Sequence, residues 1–557
     1  MRFLLSTATQ LLLSCAFLAA NAHAAPSEEA PKLVLVLVVD GLPAEQVQRY
    51  RSQFGKGGLR RLMEGGASFS NAHQAHGVTV TAVGHAAILS GAYPYQHGVI
   101  GNNWIDPVTK TSVYCTQDTA HTYIGETTKP MDGTSPARLR VDTLGDQLRY
   151  ATGNRAKVVA VSGKDRGAIL LAGKTGTAYM YMDETGNFAS SDFYMKAHPE
   201  WVRSFQAAKP QDRYYGKTWR PLLPDAAYAN DARDELFPAT PASPNRFPFA
   251  FYSESGSIDA DYYNRLKPSP FLDELTLDFA RAAIDGENLG NNPAGVTDVL
   301  GVSLSGHDYV NHKYGPESKM SHDHLQRLDR MLANFFSYLD KKVGADKVLV
   351  VLTADHGFPN TPEFVKESGG NAGRVDPAKL VTALNAALAA KYGNDKLVIA
   401  ESAPNFHLDY AALDKLGLSR IEVEETAANF LRTQEGVAEV FTRHYFETGA
   451  AATTRMQLLM RRAWNRELSG DLVVVTKPFW IFGSSSSGTS HGSSYAYDTN
   501  VPLVLSGRKW IKPGHYGQYA ETVDIAPTLA HLLRLRPPAG AEGRVLNEAL
   551  AGAPRAQ

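Results

Sequence analysis

The chain has 557 residues, with 56 Lys and Arg residues against 57 Asp and Glu residues. This length is enough for one large catalytic domain with insertions, or for two to three smaller domains. The charge balance excludes a global field that would attract nucleic acid or an anionic membrane. We therefore expect no nucleic-acid partner, and a charged substrate must be bound by local groups.

The first 24 residues have the pattern of a secretory signal peptide. An apolar stretch at 11–20 is followed by the small-residue triplet Ala22-His23-Ala24, a cleavage site. The stretch is shorter than the ~20 residues that span a bilayer, so we expect no membrane anchor. A lipoprotein signal ending at Cys15 is the alternative. Cleavage after Ala24 predicts an exported protein, periplasmic or extracellular, in which Cys115 has no disulfide partner within the chain.

Apolar runs separated by helical patterns recur along the rest of the chain. The run KLVLVLVV at 32–39 is typical of a parallel strand buried on both faces. Pro43 then opens a predicted helix, which Gly57-Gly58 closes. Further strands are predicted at 156–161, 296–304, 347–352, 472–475 and 501–505, with helices at 271–284 and 322–339. This alternation predicts an α/β fold with a mainly parallel central sheet.

Two intervals break this rhythm. Residues from about 174 to 265 are rich in Tyr, Pro, Asp and Asn without a clear period, which indicates an irregular cap or insertion. From about 375 to 470 the chain has helix and strand patterns of its own, beginning with a helix at Asp376-Pro377. We interpret 25–557 as one catalytic domain that carries an irregular insertion and a small inserted α/β subdomain.

Polar residues that follow the predicted strands are candidate ligands, because open parallel sheets bind ligands beyond the carboxyl ends of their strands. Singly, each Asp also fits a turn or a helix cap, and a His in a Gly/Ser loop also fits a solvated loop residue. Together they offer carboxylates and imidazoles, which suit zinc, in a number that exceeds what one tetrahedral ion takes. The set consists of Asp40, Asp308, His312, Asp355, His356 and His491.

The segment 79–91, TVTAVGHAAILSG, predicts a short helix that begins near Thr81 and stops at Gly91. A helix start offers free backbone N–H groups and the positive end of a dipole, which together suit a phosphate. The Thr81 hydroxyl fits an ordinary helix cap equally well. Coordination to a metal would instead favour its alkoxide and make it a nucleophile.

The chain resembles the alkaline phosphatase superfamily, and within it most closely the phosphate-irrepressible alkaline phosphatases that use a Thr nucleophile. The resemblance covers nearly all of the chain after residue 24 and implies a three-layer sandwich around a mainly parallel sheet. The motifs that carry it are VVDG at 38–41, TVTAVGHAAILSG at 79–91, HGVIGN at 97–102, SGKDRGA at 162–168, DYVNHKYGP at 308–316, TADHG at 353–357, SHG at 490–492 and VDIAPTL at 523–529.

The resemblance implies a role for each matched position. One zinc ion would be held by Asp308, His312 and His491. The second would be held by Asp40, Asp355 and His356, with Thr81 coordinated to it as the nucleophile. Asn102 matches an Asn that contacts a phosphoryl oxygen in the family. Lys164 and Arg166 match the Lys and Arg, two residues apart, that its monoesterases place on the substrate.

We therefore expect an exported alkaline phosphatase that uses two Zn²⁺ ions and a phosphothreonine intermediate to hydrolyse small-molecule phosphate monoesters, with broad specificity. One alternative is a phosphodiesterase or nucleotide pyrophosphatase of the same superfamily, a class that lacks the Lys/Arg pair. The other is a non-catalytic exported metal-binding protein. Sulfatases of the superfamily are disfavoured, because residues 79–85 contain no Cys/Ser-x-Pro-x-Arg pattern.

Overall fold

The protein was analysed as a computed structural model, which describes residues 29–236 and 245–551. The predicted signal peptide at 1–24, with Cys15, lies outside the described residues. None of the helices in the described ranges combines the length and the apolar character needed to cross a membrane.

A nine-stranded sheet forms the middle layer, in the spatial order β9-β2-β8-β7-β1-β6-β3-β4-β5. Neighbours are parallel from β7 through β1, β6 and β3 to β4, whereas β8 and β5 run antiparallel to the strands beside them. The predicted mainly parallel sheet is confirmed. In chain order the strands are β1 (Leu33–Val39), β2 (Ala67–Phe69), β3 (Val158–Ser162), β4 (Thr177–Tyr181), β5 (Phe188–Ala189), β6 (Asp298–Leu304), β7 (Val348–Thr353), β8 (Leu503–Ser506) and β9 (Gly514–Tyr516).

The central strand β1 explains why the sheet is covered on both faces. All seven of its side chains are fully buried, and successive side chains point to opposite faces. Leu33, Leu35 and Leu37 enter one hydrophobic core, while Val34 and Val36 enter a second. Burying one such side chain stabilises the fold by about 1.5–3 kcal/mol, so a continuous apolar run requires helices on both sides.

Helices on the two faces complete the three-layer α/β sandwich. The face that buries Leu35 is covered by Ala44–Arg49, Leu59–Gly65, Glu200–Ala207, Ala260–Leu266, Pro270–Glu287, Gly306–Tyr314 and Lys319–Leu339. The face that buries Val36 is covered by Thr81–Ser90, Leu144–Ala151, Asp165–Ala172 and Ile525–Leu532.

The helix predicted to run from Pro43 to Gly57-Gly58 is shorter than expected. It spans Ala44–Arg49, and Gly58 is instead the N-cap of the next helix, Leu59–Gly65. The reason is a tertiary contact. Asp329 accepts hydrogen bonds from the backbone N–H groups of Gly55 and Leu59, and a Cβ at Gly58 would lie 2.1 Å from the Asp329 carbonyl oxygen.

The interval 174–265 contributes to the central sheet before it becomes irregular. Its first part supplies β4 and β5, followed by the Glu200–Ala207 helix. The described residues that follow form 3₁₀ turns at Pro210–Tyr214, Asp225–Tyr228 and Asp234–Leu236, a two-stranded sheet of Thr218–Trp219 and Phe249–Ala250, and the Ala260–Leu266 helix.

The segment after β7 builds a second, smaller sheet, which we call the inserted sheet. Its four strands lie in the order Val398–Ser402, Asn405–Leu408, Leu472–Thr476 and Val437–Thr442, and all neighbours are antiparallel. The predicted strand at 472–475 therefore exists, but it belongs to this sheet. A separate hydrophobic core lies under it. The accompanying helices are Pro377–Tyr392, Tyr410–Lys415, Arg420–Arg432, Arg443–Glu447 and Arg455–Ala463.

Shorter elements connect these layers. The helical ones are Arg51–Gln53, Pro94–His97, Asp340–Gly344, Pro362–Glu367, Ala496–Thr499, Thr522–Asp524 and Asn547–Ala549. The strand pairs are Ala72–His73 with Ala520–Glu521, Asn103–Ile105 with Ser112–Tyr114, and Gly373–Val375 with Trp480–Phe482.

Gly84 allows the Thr81–Ser90 helix to approach the backbone that follows β7. A Cβ built at Gly84 would lie 2.1 Å from the Asp355 carbonyl oxygen, and neither backbone can yield easily. We predict that Gly84→Ala lowers the free energy of unfolding by at least about 1–3 kcal/mol, the usual cost of overpacking. Thermal unfolding measures this effect.

Gly65→Ala is the matched control, because Gly65 also lies in a helix but a Cβ there meets no atom within 4 Å. It should be neutral or slightly stabilising, since Ala is the better helix former. Equal unfolding temperatures for the two variants would contradict the close approach.

Candidate active site

Three adjacent parallel strands place three buried carboxylates at one edge of the sheet. Asp40 follows β1, Asp355 follows β7, and Asp308 lies in the first turn of the helix that follows β6. Each is at most 1% exposed. Because β7, β1 and β6 are direct neighbours whose carboxyl ends meet at this edge, the strand order brings the carboxylates together.

Three histidines surround these carboxylates, and each has its ring orientation fixed by a backbone carbonyl. The Nδ1 atoms of His312, His356 and His491 lie 3.0, 2.9 and 2.7 Å from the carbonyl oxygens of Thr489, Gly357 and Thr79. A carbonyl can only accept, so Nδ1 carries the proton and Nε2 is the atom left for a ligand. This arrangement is typical of metal-binding histidines.

The Nε2 atoms point into the carboxylate cluster. His312 Nε2 and His491 Nε2 lie 3.5 and 3.6 Å from Asp308 Oδ1. His356 Nε2 lies 3.5 Å from Asp40 Oδ1, 3.4 Å from Asp355 Oδ2 and 3.8 Å from Asp308 Oδ1. The six candidate ligands, separated by up to 451 positions in the chain, thus converge on one place.

The donor atoms form two overlapping groups. Within each group the atoms lie within 4.8 Å of one another, and the groups are Asp40, Asp355 and His356, and Asp308, His356 and His491. The first group has the three protein ligands that the resemblance assigns to one ion. The second includes Asp308 and His491 but has His356 in the place expected for His312, which contacts Asp308 from the outer side of the cluster.

The donor chemistry fits divalent cations. Several buried atoms in the cluster have no hydrogen-bond partner among the described residues, namely both carboxylate oxygens of Asp40, Asp308 Oδ1, Asp355 Oδ2 and His356 Nε2. A buried polar group without a partner is costly, and carboxylates are buried when paired or bound to a metal. The side chains present therefore fit metal binding.

The Thr81 hydroxyl lies beside this cluster at the start of a buried helix. Thr81 is the first helical residue and is 1% exposed, and the N-cap is Val80, which makes no side-chain capping bond. Thr81 therefore does not serve as a helix cap. The helix ends at Gly91, whose φ of 66° gives the left-handed stop expected for glycine.

Lys164 supplies a cation inside the cluster. Its Nζ lies 2.7 Å from Asp40 Oδ2, forms a short contact with Asp308 Oδ2, and is 3.5 Å from Thr81 Oγ1. The contact with Asp40 is an ion pair without hydrogen-bond geometry. Lys164 follows β3, which is the neighbour of β6, so its position has the same origin as that of the carboxylates.

Arg166 and Asn102 occupy the rim of the site. Arg166 Nη1 donates to the Tyr114 hydroxyl at 3.1 Å, and that hydroxyl in turn donates to Asp165. Asn102 Oδ1 accepts from the Ala82 backbone N–H at 2.9 Å. The oxygen of the Asn102 amide is thus bound to the Thr81–Ser90 helix, and its amide nitrogen is the atom that can donate to a ligand.

Charges within the cluster shift its pKa values. Burial alone would raise the pKa of Asp40, but Lys164 and His356 hold that pKa well below its usual range. Burial works to lower the pKa of His356, yet Asp355 and Asp40 raise it to about 9. Burial similarly opposes the charge on Lys164, but Asp308 and Asp40 raise its pKa above the ordinary value. Lys164 and His356 therefore balance only part of the negative charge of the three carboxylates, and the remaining negative charge attracts cations.

The sequence reasoning missed two residues that support the ligands. His85 lies on the Thr81–Ser90 helix, and its Nδ1 is 3.1 Å from Asp355 Oδ2. Asp498 Oδ2 accepts from the Gly492 N–H at 3.1 Å, the Ser493 N–H at 2.8 Å and the Ser493 hydroxyl at 2.6 Å. His85 lies in the motif TVTAVGHAAILSG, four residues after Thr81, and this spacing places both residues on the same face of a helix.

Asp498 joins two ligand-bearing loops. Its side chain binds the residues that follow His491, and its backbone carbonyl accepts from the Gly357 N–H at 2.7 Å, next to His356. Asp498 is 1% exposed, so water does not replace these bonds.

Comparison with known proteins identifies the family of this chain. Residues 34–498 match the family described as type I phosphodiesterase / nucleotide pyrophosphatase, which is more than half of the chain. The chain belongs to this family, within the alkaline phosphatase superfamily.

Two relatives of this phosphodiesterase-family chain align over nearly its whole length. A protein from Myroides odoratus named calcium-transporting ATPase is 36% identical over 97% of this chain and 99% of its own. The alkaline phosphatase PafA of Elizabethkingia meningoseptica is 35% identical over 93% of this chain and 94% of its own.

Solved structures of PafA match the fold closely. The wild-type crystal structure has a TM-score of 0.87 and 34% identity, and it covers 94% of this chain and 99% of its own. A variant of PafA, with a TM-score of 0.86, carries substitutions of one Thr, one Asn, one Lys and one Arg. These residue types stand in the same order and at the same spacing as Thr81, Asn102, Lys164 and Arg166.

The bonds of Asp498 predict that two substitutions at this position differ in their effect on metal affinity. Asp498→Ala removes the acceptor for three donors and should weaken binding of Zn²⁺ by about 10- to 100-fold, as for other supporting partners of metal ligands. Asp498→Asn keeps one oxygen in the position of Oδ2 and should retain most of the affinity. Competition with a chromophoric chelator measures both.

Asp346→Ala serves as the control, because Asp346 forms a surface ion pair with Lys509. It should bind Zn²⁺ like the unsubstituted protein. If Asp498→Ala also retained full affinity, the loop carrying His491 would not need Asp498.

Proposed function

We propose that this protein is an exported, metal-dependent alkaline phosphatase that hydrolyses small-molecule phosphate monoesters through a phosphothreonine at Thr81. The proposal is carried by one observation, the placement of the Thr81 hydroxyl at a helix start beside Lys164 and the buried carboxylates. Relatives named alkaline phosphatases, aligned over more than nine-tenths of the chain, support the reaction class. Export rests on the sequence pattern at 1–24.

Two divalent cations are part of the proposal, and zinc suits the carboxylate and imidazole donors. One would be held by Asp308, His312 and His491, and the other by Asp40, Asp355 and His356. When bound there, such ions lower the pKa of a coordinated hydroxyl and stabilise charge on the departing oxygen.

The residues of the chain then act on the phosphoryl group. Thr81 Oγ1 gives its proton to solvent and bonds to phosphorus while the ester P–O bond breaks, and the alkoxide takes a proton from solvent and leaves as the alcohol. Water hydrolyses the resulting phosphothreonine and releases inorganic phosphate. The start of the Thr81–Ser90 helix and the amide nitrogen of Asn102 donate to nonbridging oxygens, because phosphoryl transfer needs positioning and charge stabilisation.

Lys164 and Arg166 favour the monoesterase over a diesterase. A monoester presents a dianionic group, with which two cationic donors form charge-assisted hydrogen bonds, whereas a diester has an organic substituent on one of those oxygens. Lys164 Nζ is already within 3.5 Å of Thr81 Oγ1, so it can reach an oxygen of a phosphoryl group bound there. The diesterase remains the second candidate, because the matched family is described by that activity.

Thr81→Ala tests the nucleophile. Removing the attacking oxygen should lower the release of phosphate from an aryl phosphate by on the order of 10⁴-fold or more, while zinc content stays near two per chain. Thr81→Ser retains a hydroxyl and should keep measurable activity. The nucleophile assignment is wrong if Thr81→Ala turns over like the unsubstituted enzyme.

Lys164→Ala combined with Arg166→Ala tests the substrate class. Each lost charge-assisted hydrogen bond costs about 1.5–3 kcal/mol, so hydrolysis of an aryl phosphate should fall by about 10²-fold or more. Hydrolysis of a bis-aryl phosphate should fall far less. Steady-state kcat/KM on the two substrates measures the difference, and equal losses would favour the diesterase.

A further inference from the structure

Two cavities of opposite character adjoin the catalytic cluster. The first, about 240 Å³, is lined by Lys164 and Arg166 together with Asp165, Asp183 and Tyr309. It is charged and polar. The second, about 210 Å³, is lined by His491 and Val80 on one side and by apolar residues of the inserted sheet on the other. We call this second space the apolar cavity.

The apolar cavity borders the candidate site at Val80 and His491. Val80 immediately precedes Thr81 and is half-buried, although the residues on either side of it are fully buried. His491 forms the adjoining wall, and its Nε2 lies 3.6 Å from Asp308 Oδ1. Gly492 lies close to Val80 in this wall, since a Cβ built on Gly492 would lie 3.4 Å from Val80 Cγ1.

The opposite wall comes from the segment inserted after β7. It includes Val474 and Val475 of the inserted sheet and the neighbouring strand Trp480–Phe482. Successive residues of a strand face opposite sides. Trp480 and Phe482 pack on the core under the inserted sheet, whereas Ile481 packs against none of the hydrophobic clusters in the described residues. The half-buried side chain of Ile481 therefore lines the cavity.

We propose that the apolar cavity binds the aromatic or branched organic group of the substrate, so that the preferred monoesters are those of apolar alcohols and phenols. This inference rests on the proposed phosphatase function. Under that function the phosphoryl group is bound at Thr81, and the apolar cavity beside Val80 is an adjoining space whose lining suits an organic group. A space of roughly 150 Å³ lined by apolar side chains is large enough to hold benzene, so one ring fits.

The test compares two non-hydrolysable probes, phenylphosphonate and methylphosphonate, by calorimetric titration of the zinc-loaded full-length enzyme. The phenyl probe should bind about tenfold more tightly, because its ring leaves water for an apolar wall. Ile481→Asn should weaken phenylphosphonate about fivefold and leave methylphosphonate unchanged. Ile481→Ala is the second variant in case the polar side chain disturbs folding, and thermal unfolding verifies both.

Ile399→Asn is the matched control. Ile399 is a strand residue of the inserted sheet, whereas Ile481 lies on the separate strand Trp480–Phe482. Ile399 is 38% exposed and lies outside the cavity lining. It should change neither affinity. In kinetics, Ile481→Asn should raise KM for phenyl phosphate with little change in kcat, and it should spare methyl phosphate.

The outcomes separate the cavity from the function it rests on. Equal affinities for the two probes in the unsubstituted enzyme, or an unchanged ratio in both Ile481 variants, would overturn the cavity proposal while leaving the phosphatase assignment intact. An enzyme that hydrolyses no monoester would instead remove the proposed function, whatever the phosphonates do.

Discussion

The site depends on the burial of three carboxylates within reach of one another. Asp40, Asp308 and Asp355 are almost inaccessible to water, and each buried anion costs several kcal/mol unless a cation compensates it. Lys164 and His356 supply positive charge between them, but several oxygens still lack partners. Such a cluster is a high-energy arrangement by itself and a low-energy one around divalent cations. The proposed ions would therefore stabilise the fold in addition to their role in the proposed reaction.

Hydrogen bonds with neighbouring backbone groups fix the positions of the candidate ligands. A histidine whose Nδ1 donates to a backbone carbonyl has one orientation, and all three candidate histidine ligands are held in this way. Asp498 and Gly357 then tie the loop of His491 to the loop of His356. Gly84 lets the Thr81–Ser90 helix lie against the backbone of Asp355. Small residues and backbone bonds thus set the distances on which the chemistry depends.

The fold could be predicted where local pattern and burial agree. β1 was predicted within one residue because an uninterrupted apolar run has few alternatives, and the helices at 270–287 and 319–339 follow from strong periodicity. The helix after Pro43 was predicted too long because a second helix begins at Leu59, whose backbone N–H is bound by Asp329, a residue distant in the chain. The strand at 472–476 was found but not its sheet, since pairing partners are not encoded in the apolar run itself.

The candidate site could also be predicted from the sequence only in part. Strand ends identify Asp40, Asp308 and Asp355 because the sheet geometry itself brings them together, and the Nε2 contacts of the histidines follow from that convergence. The resemblance places Lys164 on the substrate, which stays a prediction, and the sequence did not indicate that its ammonium group also lies between Asp40 and Asp308. No sequence pattern reports which of two anions, a bound phosphoryl group or a carboxylate, a lysine contacts. Asp498 was missed because its partners are backbone N–H groups, which every residue type carries.

The separation of sheet and insertion has a consequence for specificity. Thr81, the three carboxylates and Lys164 all lie at the ends or on the covering helices of one sheet, where a change in one strand would move several of them. The inserted sheet contributes none of these groups, and its residues reach the site only as an apolar wall beside His491. If the apolar cavity binds the organic group as proposed, changes in that wall would alter which alcohol is accepted without moving the groups proposed to act on phosphorus, which is the advantage of building a pocket from an insertion on a rigid core.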